Sequence, residues 1–282
     1  MTITLVYRGE TSVPVEVEGL TPEWVAGKTL AEVERFEVFH GNHKIPLAEL
    51  FAVSGDTSGD ASNLQLEFCG DLSGTHWIGA RMTTGSVRVQ GNVGWHLGSQ
   101  MRGGEIIVDG NAGDWLGAEM HKGLICVKGN AGNLTGAAYR GSQKGMTGGM
   151  ILVDSDAGNE IGHSMRRGLI AIGGSAGAML GYNMIAGTIA VFGSCGVRPG
   201  AGMRRGTLAL LGQKTPPLLP TFRYSTTYRA PGMALMLKIL RDRGFRYDEA
   251  LLKTEYSLYH GDLVGTGLGE ILIPGRECSL AS

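Results

Sequence analysis

The chain has 282 residues, enough for one large domain or two modest ones, with a formal net charge of −1. Such balance excludes a strong field for recruiting nucleic acid or an anionic membrane, and the short, Gly-broken apolar runs exclude a membrane-spanning helix. Glycine is the outlier at 47 residues beside 9 prolines and 43% hydrophobic content, far above the usual ~7%. That composition rules out collagen and a disordered linker, and it points to a repeat with glycines at defined backbone positions.

Residues 1–62 lack any glycine period. MTITLVYRG and SVPVEVEGL alternate as strands. Pro22 suits a helix start at Thr21–Trp24, and Thr29 with Glu32 has capping-box spacing for a second short helix. HKIPLAELFAVSG returns to strand, completing a small α+β cap of the kind that blunts the end of a stacked repeat. MTITLVYRGET has no basic stretch followed by an apolar one, so a cytoplasmic protein without a signal peptide is expected.

Residues 63–212 carry the repeat. Gly85, Gly104, Gly123, Gly149, Gly168, Gly187 and Gly206 are 19 residues apart, except for 26 between Gly123 and Gly149. Further glycines recur 6, 9 and 13 residues after each start, with Ser155 replacing one of them, and Met recurs at 16. Offsets 2 and 4 are aliphatic throughout, as in Ile106/Val108, Val127 with Ile125, Ile170/Ile172 and Ile189/Val191, which puts them on one face of a strand. No 19-residue unit can bury that face alone, but stacked units can. The fold class expected is all-β: a right-handed parallel β-helix of Gly-rich coils of about 19 residues, roughly 30 Å long at ~4.8 Å per coil. Residues 63–84 form an imperfect first coil, and the extra residues around Ala137–Gln143 are expected to bulge out as a loop. Residues 213–282 form a C-terminal segment: the KTPPLLP linker, a helix with Met233, Met236, Leu237 and Leu240 on one face and Gly244 closing it, a second helix at Tyr247–Thr254, and a last partial coil in YHGDLVGTGLGEILI.

Chemistry is sparse. Cys69, Cys126, Cys195 and Cys278 form no CxxC pair, which argues against zinc or iron–sulfur ligation. Ala26–Thr29 resembles the end of a phosphate-binding loop, but the earlier glycine it needs falls on Pro22. GGSAG at 173–177 belongs to the repeat, with no helix after it. His40 and His43 lack a third ligand, and His96, His121 and His163 sit at different offsets. No catalytic constellation and no metal site is read. Two surface features remain. A basic column follows the Met of each coil: Arg102, His121 with Lys122, Lys144, Arg166 with Arg167, and Arg204 with Arg205, broken only at Ile185–Ala186. It reads as a solvated corner, a contact for an acidic partner, or a track for an anionic tail. The outward offset 3 is apolar in Ile107, Cys126 and Leu152 and shrinks to Ala171, Ala190 and Ala209. Such a stripe is expected to be covered, by the C-terminal helix or by another subunit.

GMTGGMILVDSDAGNEIGHSMRRGLIAIGGSAG at 145–177 resembles the C subunit of formylmethanofuran dehydrogenase and, more closely, the C subunit of the bacterial formyltransferase/hydrolase complex. Both families are related to the Gly-repeat domain at the C-terminus of glutamate synthase's large subunit. TFRYSTTYRAPGMALMLKILRDRGF, YHGDLVGTGLGEILI and GNHKIPLAELFAVSG extend the likeness to the formyltransferase/hydrolase branch over nearly the whole chain. The resemblance implies a non-catalytic scaffold. Its partners would be an amidohydrolase-like A subunit, a B subunit and a formyltransferase D subunit. The complex would take the formyl group of formyl-tetrahydromethanopterin onto a methanofuran-type carrier and hydrolyse it to formate during formaldehyde oxidation, with no cofactor bound by this chain alone. Alternatives are the corresponding subunit of a tungsten or molybdenum formylmethanofuran dehydrogenase, and an independent β-helix enzyme acting on an extended polymer.

Overall fold

The computed structural model describes residues 1–9 and 12–275; Cys278 lies outside them. The chain is mostly β. Among the described residues thirteen strands share one sheet. Its centre is a parallel run in sequence order: Gln65–Cys69, Ser86–Gln90, Arg102–Val108, Lys122–Val127, Met150–Val153, Leu169–Ile172, Thr188–Val191 and Arg205–Leu210. The register repeats from strand to strand, with Ile125 beside Ile151, Ile151 beside Ile170 and Ile170 beside Ile189. A second column of parallel bridges runs alongside through Val93, Ala112, Ala131, Ala157, Ala176 and Cys195. Each repeat therefore returns to the same two lines. Offsets 2 and 4 face one core: Ile106, Val127, Ile170 and Val191 are all buried, and so is the Met at every offset 16. Burying one such side chain contributes about 1.5–3 kcal/mol.

The glycines divide into two kinds. Gly168 has φ +107°, a conformation closed to side chains. Gly193 does not; there a Cβ would come within 2.5 Å of the Gly174 carbonyl carbon in the previous repeat. Left-handed backbone also occurs at non-glycine positions, 11 and 15 residues after each start, as in His96 (φ 64°), Trp115 (φ 62°), Glu160 (φ 55°) and Met179 (φ 59°). Each costs about 1–2 kcal/mol. That conformation aims the N–H at the next repeat: His96 donates to the Asp114 carbonyl at 3.0 Å and Trp115 to that of Asn133 at 2.9 Å.

Both ends join the same sheet. Thr2–Tyr7 pairs parallel with Gln65–Cys69 and antiparallel with Phe51–Gly55, so the sheet runs across the 62/63 boundary. Helices Pro22–Val25 and Leu30–Glu34 form as read, the second with its capping box closed by Thr29 and Glu32. At the other end, helix Pro231–Asp242 packs Met233, Met236, Leu237 and Leu240 onto the outer face of the sheet. The helix expected at Tyr247–Thr254 is instead a single 3-10 turn, Glu249–Leu252. Asp248 accepts the Ala250 N–H at 2.9 Å and closes the turn locally, and the chain must be extended again by Tyr256. Leu268–Pro274 does stack parallel on Arg205–Leu210, but it arrives through an antiparallel hairpin with Tyr256–Gly261 rather than through a glycine coil. The insertion also bulges later than expected. Ala137 and Ala138 are buried, Tyr139 is half-buried, and the exposed loop begins at Arg140.

Candidate functional site: the basic corner and the outer stripe

The basic residues stand where the chain leaves the core Met and turns into the next strand. One backbone bond places them in successive repeats: Arg102 N–H donates to the Met82 carbonyl, Arg166 to Met146 and Arg204 to Met184, each at 2.8 Å. Arg102, Lys122, Lys144, Arg166, Arg167, Arg204 and Arg205 are all exposed, and none forms an ion pair with a described residue.

Their grouping differs from an even ladder. Lys144, Arg166 and Arg204 line a hollow of about 690 Å³ with Gln143, Ser164 and Asn183, and Ile185 lies between the two arginines' repeats. The apolar break in the column thus becomes part of a concavity. Arg166, Arg167, Arg204 and Arg205 line an adjoining hollow of about 480 Å³ together with Thr266. Lys122 belongs elsewhere, in a hollow of about 490 Å³ with Glu105, Leu124, Met150 and Arg243. Arg102 lines none of the three. Among the described lining residues of the two arginine hollows there is no carboxylate, thiol or imidazole. Chemically these hollows can hold carboxylate or phosphate oxygens through planar guanidinium forks; they hold no pair of groups for nucleophilic or acid–base work.

The outer stripe is graded. Leu152 is buried in a second core with Ala171, Ala190, Ala209 and the C-terminal helix. The alanines let that helix lie close to the sheet. Cys126 is partly covered by the same core, and burial, then the charges of Glu105 and Asp154, push its thiol up to about 11. Ile107 is half-buried. Burial likewise pushes the inward Cys195 up to about 12. Neither thiol is a ready nucleophile. No group of three His, Cys, Asp or Glu among the described residues could hold a metal ion, and no described helix is long and apolar enough to cross a membrane.

Two constructions went unread in the sequence. Trp77, His96 and Trp115 stack along the rod: Trp77–His96 at 4.1 Å between centroids and His96–Trp115 at 6.2 Å. Tyr139, from the start of the insertion, stacks on Trp115 at 4.9 Å, bonds His96 Nδ1 at 2.9 Å and donates to Ser99 Oγ at 2.8 Å. Burial holds the His96 imidazole down to about 4 and pushes the Tyr139 phenol up to about 12. The second is a ladder in which Asn92 Oδ1 accepts the Asn111 N–H and Asn111 Oδ1 that of Asn130, at 2.8 and 2.7 Å. Spacings of 19 for 77/96/115 and 92/111/130 were the available signal.

No family model matches the chain. It is 38% identical over 91 residues to the C subunit of the tungsten-containing formylmethanofuran dehydrogenase 2 of Methanothermobacter thermautotrophicus, covering 32% of this chain and 34% of that protein. It is 34% identical over 95 residues to the C subunit of the molybdenum-containing formylmethanofuran dehydrogenase 1 of Methanosarcina barkeri, covering 34% of this chain and 32% of that one. The matched stretch is about a third of these curated relatives. The crystal structure of the formyltransferase/hydrolase complex (FhcABCD) from Methylorubrum extorquens, in complex with methylofuran, contains a chain 34% identical to this one. It superposes with a TM-score of 0.88 over 97% of this chain and 100% of that chain.

Proposed function

The chain belongs to the family of the C subunits of the formyltransferase/hydrolase complex and of formylmethanofuran dehydrogenase, and on that premise we propose that it is the non-catalytic scaffold of a formyltransferase/hydrolase complex. Its partners are amidohydrolase-like A, B and formyltransferase D subunits. The complex moves the formyl group from formyl-tetrahydromethanopterin to a methanofuran-type carrier and hydrolyses it to formate, in the cytoplasm. Full-length likeness carries this reading: 97% of the chain follows the formyltransferase/hydrolase protein, against about a third for the dehydrogenase subunits. The 38% identity over 91 residues favours the second reading, the C subunit of a tungsten or molybdenum dehydrogenase.

We read the repeats as coils of a right-handed parallel β-helix, supported by the two parallel lines to which each repeat returns. Residues 1–62 and 213–282 act as its caps, although the sheet continues into both. The basic corner serves as a contact for an acidic partner surface or for a carboxylate-bearing carrier tail, which its unneutralised cations and planar donors suit. Ile107, Cys126 and Leu152 form a stripe covered by the chain's own C-terminal helix at one end and by a partner protein at the other.

Native mass spectrometry and metal analysis of the purified complex test the function. The expected result is this chain with three other kinds of subunit, and no tungsten, molybdenum or iron–sulfur clusters. Stoichiometric tungsten or molybdenum with clusters selects the dehydrogenase, and a monomer that turns over unaided overturns both.

A further inference from the structure

Beside the arginine hollows the chain makes a turn, residues 262–267, that holds apolar side chains out in water. Leu263 and Leu268 are each 53% exposed and Val264 is 82% exposed. Isolated exposed aliphatics are ordinary, but these three fall within six residues, and their backbone is fixed. The Asp262 side chain is buried and accepts the N–H of Gly202 at 2.9 Å and of Val264 at 3.1 Å. Its carbonyl accepts Gly265 at 3.0 Å and Gly267 at 3.1 Å, and Leu263 N–H donates to the Thr221 carbonyl at 3.1 Å. Burial works against the charge on Asp262, but the bonds it accepts, that from Gly202 first, hold its carboxyl below the ordinary carboxylate range. The turn is therefore ordered before anything binds, with its apolar tip presented at no further cost in chain entropy.

The turn is also tied to the cations. Thr266 donates its hydroxyl to the Arg204 carbonyl and lines one hollow with Arg166, Arg204 and Arg205. A small anion would neutralise the arginines and leave Leu263 and Val264 bare. An apolar surface alone would cover the tip and leave the arginines unpaired. Only a macromolecular surface with both chemistries satisfies the two together. We propose that the 262–268 turn and the arginine hollows form one docking surface for another protein of the complex, one that presents an apolar socket rimmed by carboxylates. Val264 is the anchor and Arg166 and Arg204 set the register. This rests on the reading of the chain as part of a multi-subunit complex and adds which face it uses.

The test uses the complex as purified with the full chain. Val264→Asp and the double variant Arg166→Glu/Arg204→Glu are compared with the wild type and with Leu235→Asp, which alters an exposed residue on the C-terminal helix instead. Thermal unfolding of each free chain checks folding; Val264 is mostly in water and the two arginines make no ion pair with a described residue, so all should melt like the wild type. Each test variant is expected to lose the same partner protein about tenfold more readily, the effect of removing one interface anchor. Raising salt should weaken wild-type association and leave the double variant indifferent. Retention of every partner at wild-type level by both variants overturns the docking surface while leaving the scaffold function standing. A Val264→Asp variant that dissolves a homodimer with the other subunits still bound also overturns it, because the occupant is then a second copy. If the wild-type chain recovers no partner protein at all, the scaffold function itself fails.

Discussion

The two halves of the repeat share an interior and differ outside. In the early half, from Gly85 to about Gly123, the outward positions neutralise one another: Arg88 and Lys128 both hold Asp109, at 2.9 and 2.6 Å. A side corner of the same half is closed by the Trp77–His96–Trp115–Tyr139 cluster. In the late half, from Gly149 onward, the outward stripe is Ala171, Ala190 and Ala209 beneath the chain's own helix. The arginines at the corner there face no carboxylate among the described lining residues. The interior aliphatics, buried equally in both halves, make the rod. The exterior decides what the rod meets: the early half satisfies its own charges, and the late half leaves cations and an apolar turn for something else.

If the interior is common to both halves, truncating it should cost the same in either. Ile106→Ala and Ile170→Ala should each lower stability by about 2–5 kcal/mol through cavity formation, read from denaturant midpoints. A loss confined to one half would break the comparison. A smaller effect belongs to the early half alone. Tyr139→Phe removes the bonds to His96 and Ser99 and should cost about 1–3 kcal/mol. The same cluster sets a pH dependence. His96 titrates near 4 when folded against an ordinary 6.5, so the unfolded chain takes up a proton that the folded chain refuses. Stability from this site is complete above about pH 6.5 and declines as pH falls toward 4. His96→Asn, which tolerates the left-handed backbone there, should give a shallower decline across that window; an unchanged slope would detach the effect from His96. The smallest difference is electrostatic. Arg88→Gln breaks an exposed pair and should cost at most about 1 kcal/mol, whereas Arg166→Gln should leave the free chain as stable as before, because it loses no partner.

The interior was legible because it is periodic. Ile106, Ile125, Ile170 and Ile189 recur at fixed offsets, and each is fully buried. The basic residues were legible as a column, but their grouping was not. Ile185 read as a gap, yet it lines the hollow between Arg166 and Arg204, because a short apolar side chain leaves room that a third arginine would fill. Tyr139 was lost because it lies in an insertion, where counting from the glycines fails; only folding reveals that its ring returns to Trp115. The left-handed backbone at His96 and Trp115 carries no residue-type signal, since neither is glycine, and it follows from the need to hydrogen-bond the next repeat. The apolar turn at Leu263 and Val264 was taken as part of a last coil by its glycine spacing, and the Asp262 bonds that turn it outward join residues 60 apart.

Reconstitution tests the central claim most directly. The other subunits are produced with and without this chain, and formyl transfer, formate release and assembly state are measured on each preparation and on the chain alone. The account predicts no turnover by the chain alone and an assembly of the remaining subunits that is incomplete until the chain is added back. Formate release by the isolated chain, or a fully assembled and active complex that lacks it, would contradict a scaffold role.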